Sequence, residues 1–241
     1  MPPILLIPGN MCDERLWHPV AERLAAAGHR VQHSPRLDQG SIGAMAEAVL
    51  AASDGPMIAI GFSMGAIVAG EMARCASERI AALGLVAFNA SADLPERAAA
   101  RPRQQEGVRK GRLQSIVADE LKPNYLAEAN RRDADLLDTV MQMALALGPD
   151  AFLAQSEALR LRGDLRPALP QLTMPVMLAC GSEDRLCPPE WHRRWAEMIG
   201  PNSRFFEIDE AGHLLPLEQP DMLADALLGW LAKEALCQTG S

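Results

Sequence analysis

The chain lacks a disulfide framework. Its five cysteines, Cys12, Cys75, Cys180, Cys187 and Cys237, are odd in number and widely scattered, and no C-x-x-C pair occurs among them. That usage fits free thiols in a reducing compartment. Positive charge is short as well: 23 Lys and Arg stand against 31 Asp and Glu, for a net charge of −8. Phosphate backbones are held by Lys and Arg, so nucleic acid is not expected as a partner. No apolar stretch approaches the length of a membrane span, and Met1–Pro8 has neither the basic segment nor the long apolar core of a signal peptide. The expectation is a cytoplasmic protein with no membrane partner. Internal repeats, low-complexity linkers and clusters with metal-ligand spacing are all missing, so no metal is expected.

What is present is enough for one large α/β domain with an insertion: 241 residues, 49% of them hydrophobic. Short apolar runs alternate with helical stretches. Ile4–Ile7, residues 30–33, Met57–Ile60 and Leu83–Phe88 read as strands, with helices over residues 16–27, 41–52 and 66–76 between and after them. This is the βαβ pattern of a mostly parallel sheet flanked by helices. After Ser91 no strand is expected until residue 175. Helices are predicted over 95–121, near 125–130, over 134–147 and over 151–161, punctuated by Pro123, Gly148-Pro149 and Gly163. Strands 176–181 and 204–208 and helices 189–199 and 222–236 then resume the pattern. The domain reading is an α/β core of residues 1–92 and 164–241 with a helical cap, 93–163, inserted between its strands.

The stretch that organises the rest is Gly61-Phe62-Ser63-Met64-Gly65, a G-x-S-x-G pentapeptide between a buried strand and a helix. A serine on a sharp strand-to-helix turn projects its Oγ clear of the backbone. The turn brings strand and helix so close that the residues two before and two after must be small. The amide of Met64 then sits at a helix N-terminus, where it can stabilise an oxyanion. The competing reading is a glycine-rich turn with an incidental serine.

A serine hydroxyl needs a base, and the base needs an orienting acid. The chain has five histidines. His29, His33 and His192 read as solvated surface residues, and His18 as a capping or packing residue. His213 lies in a loop after the last strand, at the sheet edge where sites of open α/β sheets are built. In the loop after strand 176–181, Asp184 is the preferred acid, with Glu183 and Asp209 as competitors. The chain order is Ser63, Asp184, His213.

These three loops resemble those of the α/β-hydrolase superfamily over nearly the whole chain. Gly61–Gly65 resembles its nucleophile elbow, and Gly181-Ser182-Glu183-Asp184 its G-x-x-D acid loop, which favours Asp184. Gly212-His213 resembles its histidine loop. The resemblance implies a Ser63–His213–Asp184 triad working through an acyl-enzyme, without cofactor. It also implies an oxyanion hole of the Met64 amide and a second amide after Pro8-Gly9. Relatives often have His-Gly there; by that match Asn10 is the donor, with Met11 as the alternative. The expected substrate is a small to medium carboxylic ester. Lactonase, thioesterase, carbon–carbon hydrolase, lyase or cofactor-free haloperoxidase-like activity, and a non-enzymatic ligand receptor, are the alternatives. An aspartate would stand at Ser63 in a haloalkane dehalogenase or epoxide hydrolase.

Caps in this family set specificity. Arg97, Arg101, Arg103, Arg109, Lys110 and Arg112 make the first cap helix basic on an acidic protein. They read either as attraction for a carboxylate, a phosphate or an acidic carrier protein, or as a solvated helix face balanced by Glu96 and Glu106. Met141, Met143, Leu145 and Leu147 are read as pocket lining or as the cap's own core, and Trp17 as packing.

Overall fold

The computed structural model describes the backbone of residues 1–121 and 125–238, and the side chains of 1–119 and 125–233. Pro123 and the Cys237 thiol lie outside these. Six parallel strands form one sheet in the order β2-β1-β3-β4-β5-β6. They are β1 (Ile4–Ile7), β2 (Val31–His33), β3 (Met57–Phe62), β4 (Ile80–Val86), β5 (Val176–Gly181) and β6 (Ser203–Ile208).

Strands β1, β3 and β5 are buried at every residue, as expected of a parallel sheet covered on both faces. Alternation assigns their side chains. Leu5, Ile7, Ala59 and Leu178 face one helical layer, which includes α2 (Ile42–Ala51) and α3 (Met64–Cys75). Ile4, Leu6, Ile58, Ile60 and Met177 face the other layer. That layer contains α1 (His18–Ala26) and the closing helix α7 (Pro220–Gln238), and it buries Trp17 and Trp230. Trp17 is therefore packing, as read. Ser41 caps α2 by accepting a hydrogen bond from the Ala44 amide.

Between β4 and β5 the chain is helical. Helix α4 spans Pro95–Arg109, and α5 spans Ala134–Arg160 with a break at Gly148 (φ 79°). Two expectations change here. The helix predicted over 95–121 stops at Arg109, because Gly111 takes a positive φ and closes the last turn; a short turn and a π-helical segment, Ile116–Leu121, follow. The helices predicted over 134–147 and 151–161 meet at a kink at Gly148, as expected, and together span Ala134–Arg160. As a result Ala134–Arg160 is, by length and composition alone, long and apolar enough to cross a membrane, against the expectation that no stretch is. It nevertheless breaks at Gly148 and buries the polar Gln155 and Ser156 against the rest of the protein.

The cap residues in question pack mostly with themselves. Met141 and Leu147 join a small cluster with Met11, Val108 and Phe152. Met143 packs towards the sheet, and Leu145 is exposed. Sequence reading missed the 3₁₀ segment Arg166–Gln171, which carries two prolines. The remaining core helix is α6 (Pro189–Ile199).

Candidate active site

Ser63 follows β3 directly and opens α3 with φ 52° and ψ −113°, a strained conformation for a side-chain-bearing residue. The flanking glycines explain why it is tolerated. A Cβ on Gly61 would overlap the Gly65 carbonyl, and one on Gly65 would overlap the carbonyls of Ile7 and Pro8 at the end of β1. The pentapeptide is thus packed backbone against backbone, and no larger residue fits.

The structure brings the three sequence-selected side chains into one chain of hydrogen bonds. The Ser63 hydroxyl lies 3.0 Å from His213 Nε2, and His213 Nδ1 lies 2.8 Å from Asp184 Oδ2. Asp184 is only 2% exposed. Its other oxygen accepts from the amides of Leu186 (2.8 Å) and Cys187 (2.9 Å). Burial alone would push its carboxyl up; His213 and the Cys187 amide outweigh that and hold it below the usual carboxylate range. An ionised Asp184 only accepts, so His213 donates from Nδ1 and presents Nε2 to receive the serine proton. The competing acids are placed elsewhere: Asp209 is exposed, and Glu183 accepts from the Glu128 amide.

The histidine loop is clamped to the segment after the cap's π-helical stretch. His213 donates its amide to the Tyr125 carbonyl (2.7 Å), and Glu218 accepts from the amides of Gly212 (3.0 Å) and Ala127 (2.7 Å). A Cβ on Gly212 would press on the backbone of residues 125–127, so this glycine serves close approach between two chain segments.

The first loop offers two candidate amides, Asn10 and Met11, and the structure distinguishes them. Met11, not Asn10, takes a positive φ (54°), and its amide donates to Gln155 Oε1 (2.8 Å). Gln155 is buried on α5; it also accepts from Asn10 Nδ2 (3.1 Å) and donates to the Leu37 carbonyl (2.7 Å). The Met11 amide is therefore occupied, while neither the Asn10 nor the Met64 amide has an acceptor among the described hydrogen bonds. Sequence reasoning missed Gln155, which lies 144 residues from Met11 on a helix read only for its apolar positions.

Above Ser63 lies a cavity of about 230 Å³. Its floor includes Asn10, Ser63, Met64 and His213, and its walls include Asn89, Leu159, Arg162 and Cys187. Arg97, Ala100, Arg101 and Gln104 close it from α4, at the i, i+3, i+4, i+7 spacing of one helix face. Cys12 also lines it. Burial pushes the Cys12 thiol up to about 12, with Asp13 adding to the effect, and burial raises Cys187 too, so both thiols are protonated at neutral pH. Asp184, Cys187 and His213 each offer one potential metal-ligand atom within 4.8 Å of the others, the one such group among the described residues. The Asp184 and His213 atoms already bond to each other and the thiol is protonated, so the set is poorly suited to a metal.

The other histidines correct the sequence reading in part. His192 is not a solvated residue: it is fully buried, accepts from the Phe88 amide at Nε2 (2.8 Å) and faces the Pro188 carbonyl with Nδ1. Burial lowers its pKa to about 4. His29 and His33 are half-buried, and His18 is exposed at the start of α1.

Comparison with known proteins agrees with this architecture. A thermophilic esterase from Thermogutta terrifontis, solved with malate bound, superposes with a TM-score of 0.87 at 31% identity, covering 97% of this chain and 90% of that one. The enol-lactonase from Burkholderia xenovorans LB400 superposes with a TM-score of 0.85 at 21% identity, over 96% and 92% of the two chains. The dihydrolipoyllysine-residue acetyltransferase component of the acetoin cleaving system of Pseudomonas putida is 28% identical over 256 residues. That match takes in 96% of this chain but 64% of the longer protein, so the chain spans less than two thirds of that relative's length. The model of the Alpha/beta hydrolase family matches residues 4–226, and the chain belongs to this family of hydrolytic enzymes.

Proposed function

We propose that the protein is a serine hydrolase that cleaves a small carboxylic ester through an acyl-enzyme. The observation that carries this reading is the hydrogen-bonded line from Ser63 through His213 to Asp184 at the floor of a cavity roofed in part by α4. His213 Nε2 takes the Ser63 proton as Oγ attacks the acyl carbonyl. The Asn10 and Met64 amides, both without acceptors among the described residues, receive the oxyanion. The alkoxide leaves with the proton from His213. Water, deprotonated by the same nitrogen, then releases the acid and restores Ser63. Asp184 holds the tautomer throughout. The esterase from Thermogutta terrifontis, similar over nearly the whole chain, supports the choice of ester.

The test is hydrolysis of p-nitrophenyl acetate, butyrate and octanoate by the wild type and by Ser63→Ala. Ser63→Ala is expected to lose at least ~10³-fold in kcat/KM. The small cavity predicts that acetate and butyrate are turned over faster than octanoate. Turnover that survives in Ser63→Ala would mean that Ser63 is not the nucleophile. A fluorophosphonate probe that labels the wild type but not the variant reads the same point without a substrate.

A further inference from the structure

The charge of the cavity is at odds with that of the protein. Among the described residues three guanidiniums line it, Arg97, Arg101 and Arg162, against one carboxylate, Asp93. Asp93 is shared: its side chain is 2% exposed, and it pairs with Arg101 Nε at 2.6 Å and with Arg162 Nη1 at 2.9 Å. Asp184, close by, is committed to His213. Arg97 has no carboxylate partner among the described residues and donates one bond, to the Leu186 carbonyl at 3.1 Å. Among the described residues most of the five N–H groups of its guanidinium fork have no protein acceptor. A small positive pocket thus sits inside a chain of net charge −8. Arg162 carries the mark of this excess: burial lowers its pKa, and Arg101 and Arg97 add to the lowering against Asp93.

We propose that the substrate is an ester that also bears a carboxylate, and that Arg97 receives this carboxylate while the ester carbonyl lies over Ser63. This deepens the ester-hydrolase reading and rests on it for the second half of the statement. A planar carboxylate matches the guanidinium fork with two parallel bonds. Arg101 and Arg162 hold Asp93 in place and supply the background field. The anion confers selectivity because a neutral ester offers the Arg97 fork no charged acceptor.

Two measurements test this, and they fail separately from the hydrolase reading. The first is calorimetric binding of monomethyl succinate to Ser63→Ala, with methyl phosphate and neutral dimethyl succinate as comparisons. Monomethyl succinate is expected to bind at least ~10-fold more tightly than the diester, and adding Arg97→Met is expected to remove that advantage. Equal binding of mono- and diester, or binding indifferent to Arg97→Met, overturns the proposal. Tighter binding of methyl phosphate overturns the choice of carboxylate. The second is the ratio of kcat/KM for p-nitrophenyl hemisuccinate to that for its neutral isostere, p-nitrophenyl 4-methylpentanoate. The ratio is expected to fall at least ~10-fold in Arg97→Met through KM, to recover partly in Arg97→Lys, and to stay unchanged in Arg109→Met on the exposed side of the same helix. A ratio that Arg97→Met leaves unchanged overturns the proposal. Selective binding without hydrolysis of any ester would sink the hydrolase reading and leave the carboxylate site standing.

Discussion

The floor of the cavity is made by strand ends and its roof by helical side chains, and the two are held by different forces. On the floor, Ser63, Asp184 and His213 leave β3, β5 and β6 on turns packed backbone against backbone. Gly61 and Gly65 make that packing possible, and amides hold Asp184. In the roof, Arg97 and Arg101 project from α4, and beside it Gln155 projects from α5; all three meet the core through side-chain hydrogen bonds and ion pairs. Backbone geometry has little freedom to vary, so the floor suits a constant chemistry. Side chains can be exchanged one at a time, so the roof suits selection among substrates.

The comparison breaks first at the elbow. Gly65→Ala sets a Cβ against the carbonyls of Ile7 and Pro8, which cannot move without shifting β1. It is expected to destabilise the fold by about 3 kcal/mol or more and to abolish turnover, read by urea unfolding and ester hydrolysis. A stable, active Gly65→Ala would show that the floor is less rigid than its contacts imply.

Acid sharpens the contrast next. His192 anchors the chain just after β4 through the Phe88 amide, and its pKa drops from 6.5 to about 4 on folding. The unfolded chain takes up this proton below pH 6.5 and the folded one does not until about pH 4. His192 therefore contributes fully above pH 6.5, and its contribution falls as the pH drops through that window, by at most about 3 kcal/mol. His192→Gln keeps an acceptor for Phe88 and is expected to flatten the stability profile between pH 6.5 and 4. An unchanged slope would exclude His192 as its source.

The smallest effect belongs to Gln155, which holds the first loop. Gln155→Leu leaves the Met11 amide buried without an acceptor and frees the positive-φ loop beside Asn10. We expect about 1–3 kcal/mol of stability lost, and kcat lowered ~10-fold or more with little change in KM. A change in stability with kcat preserved would make Gln155 a packing residue with no hold on the oxyanion loop.

Much of this was readable from residue order. The strands Ile4–Ile7 and Val176–Gly181 and the helix Pro189–Ile199 appear at the expected bounds, because continuous apolar runs between breakers leave few other choices. The three loops bearing Ser63, Asp184 and His213 were visible because each is a short local pattern at the end of a strand. His192 and Gln155 were not. A histidine on a helix and a glutamine among apolar residues have no local signature, and their partners lie 104 and 144 residues away in the chain. The helix expected over 95–121 stopped short for a related reason: propensity favoured its continuation, but Gly111 turns the chain back.

The sequence by itself determined the parallel α/β sheet, the elbow with its obligatory glycines, and the order of nucleophile, acid and base. Those depend on side-chain period and on steric limits that act over a few residues. Only the tertiary structure decided which amide of the first loop is occupied, that His192 is buried, and which of the six basic residues of residues 97–112 face the cavity. It places Arg97 and Arg101 there and sets Arg109 and Lys110 at the surface beside Glu106. Those outcomes turn on burial and on partners brought together by packing, and residues far apart in the chain specify them jointly.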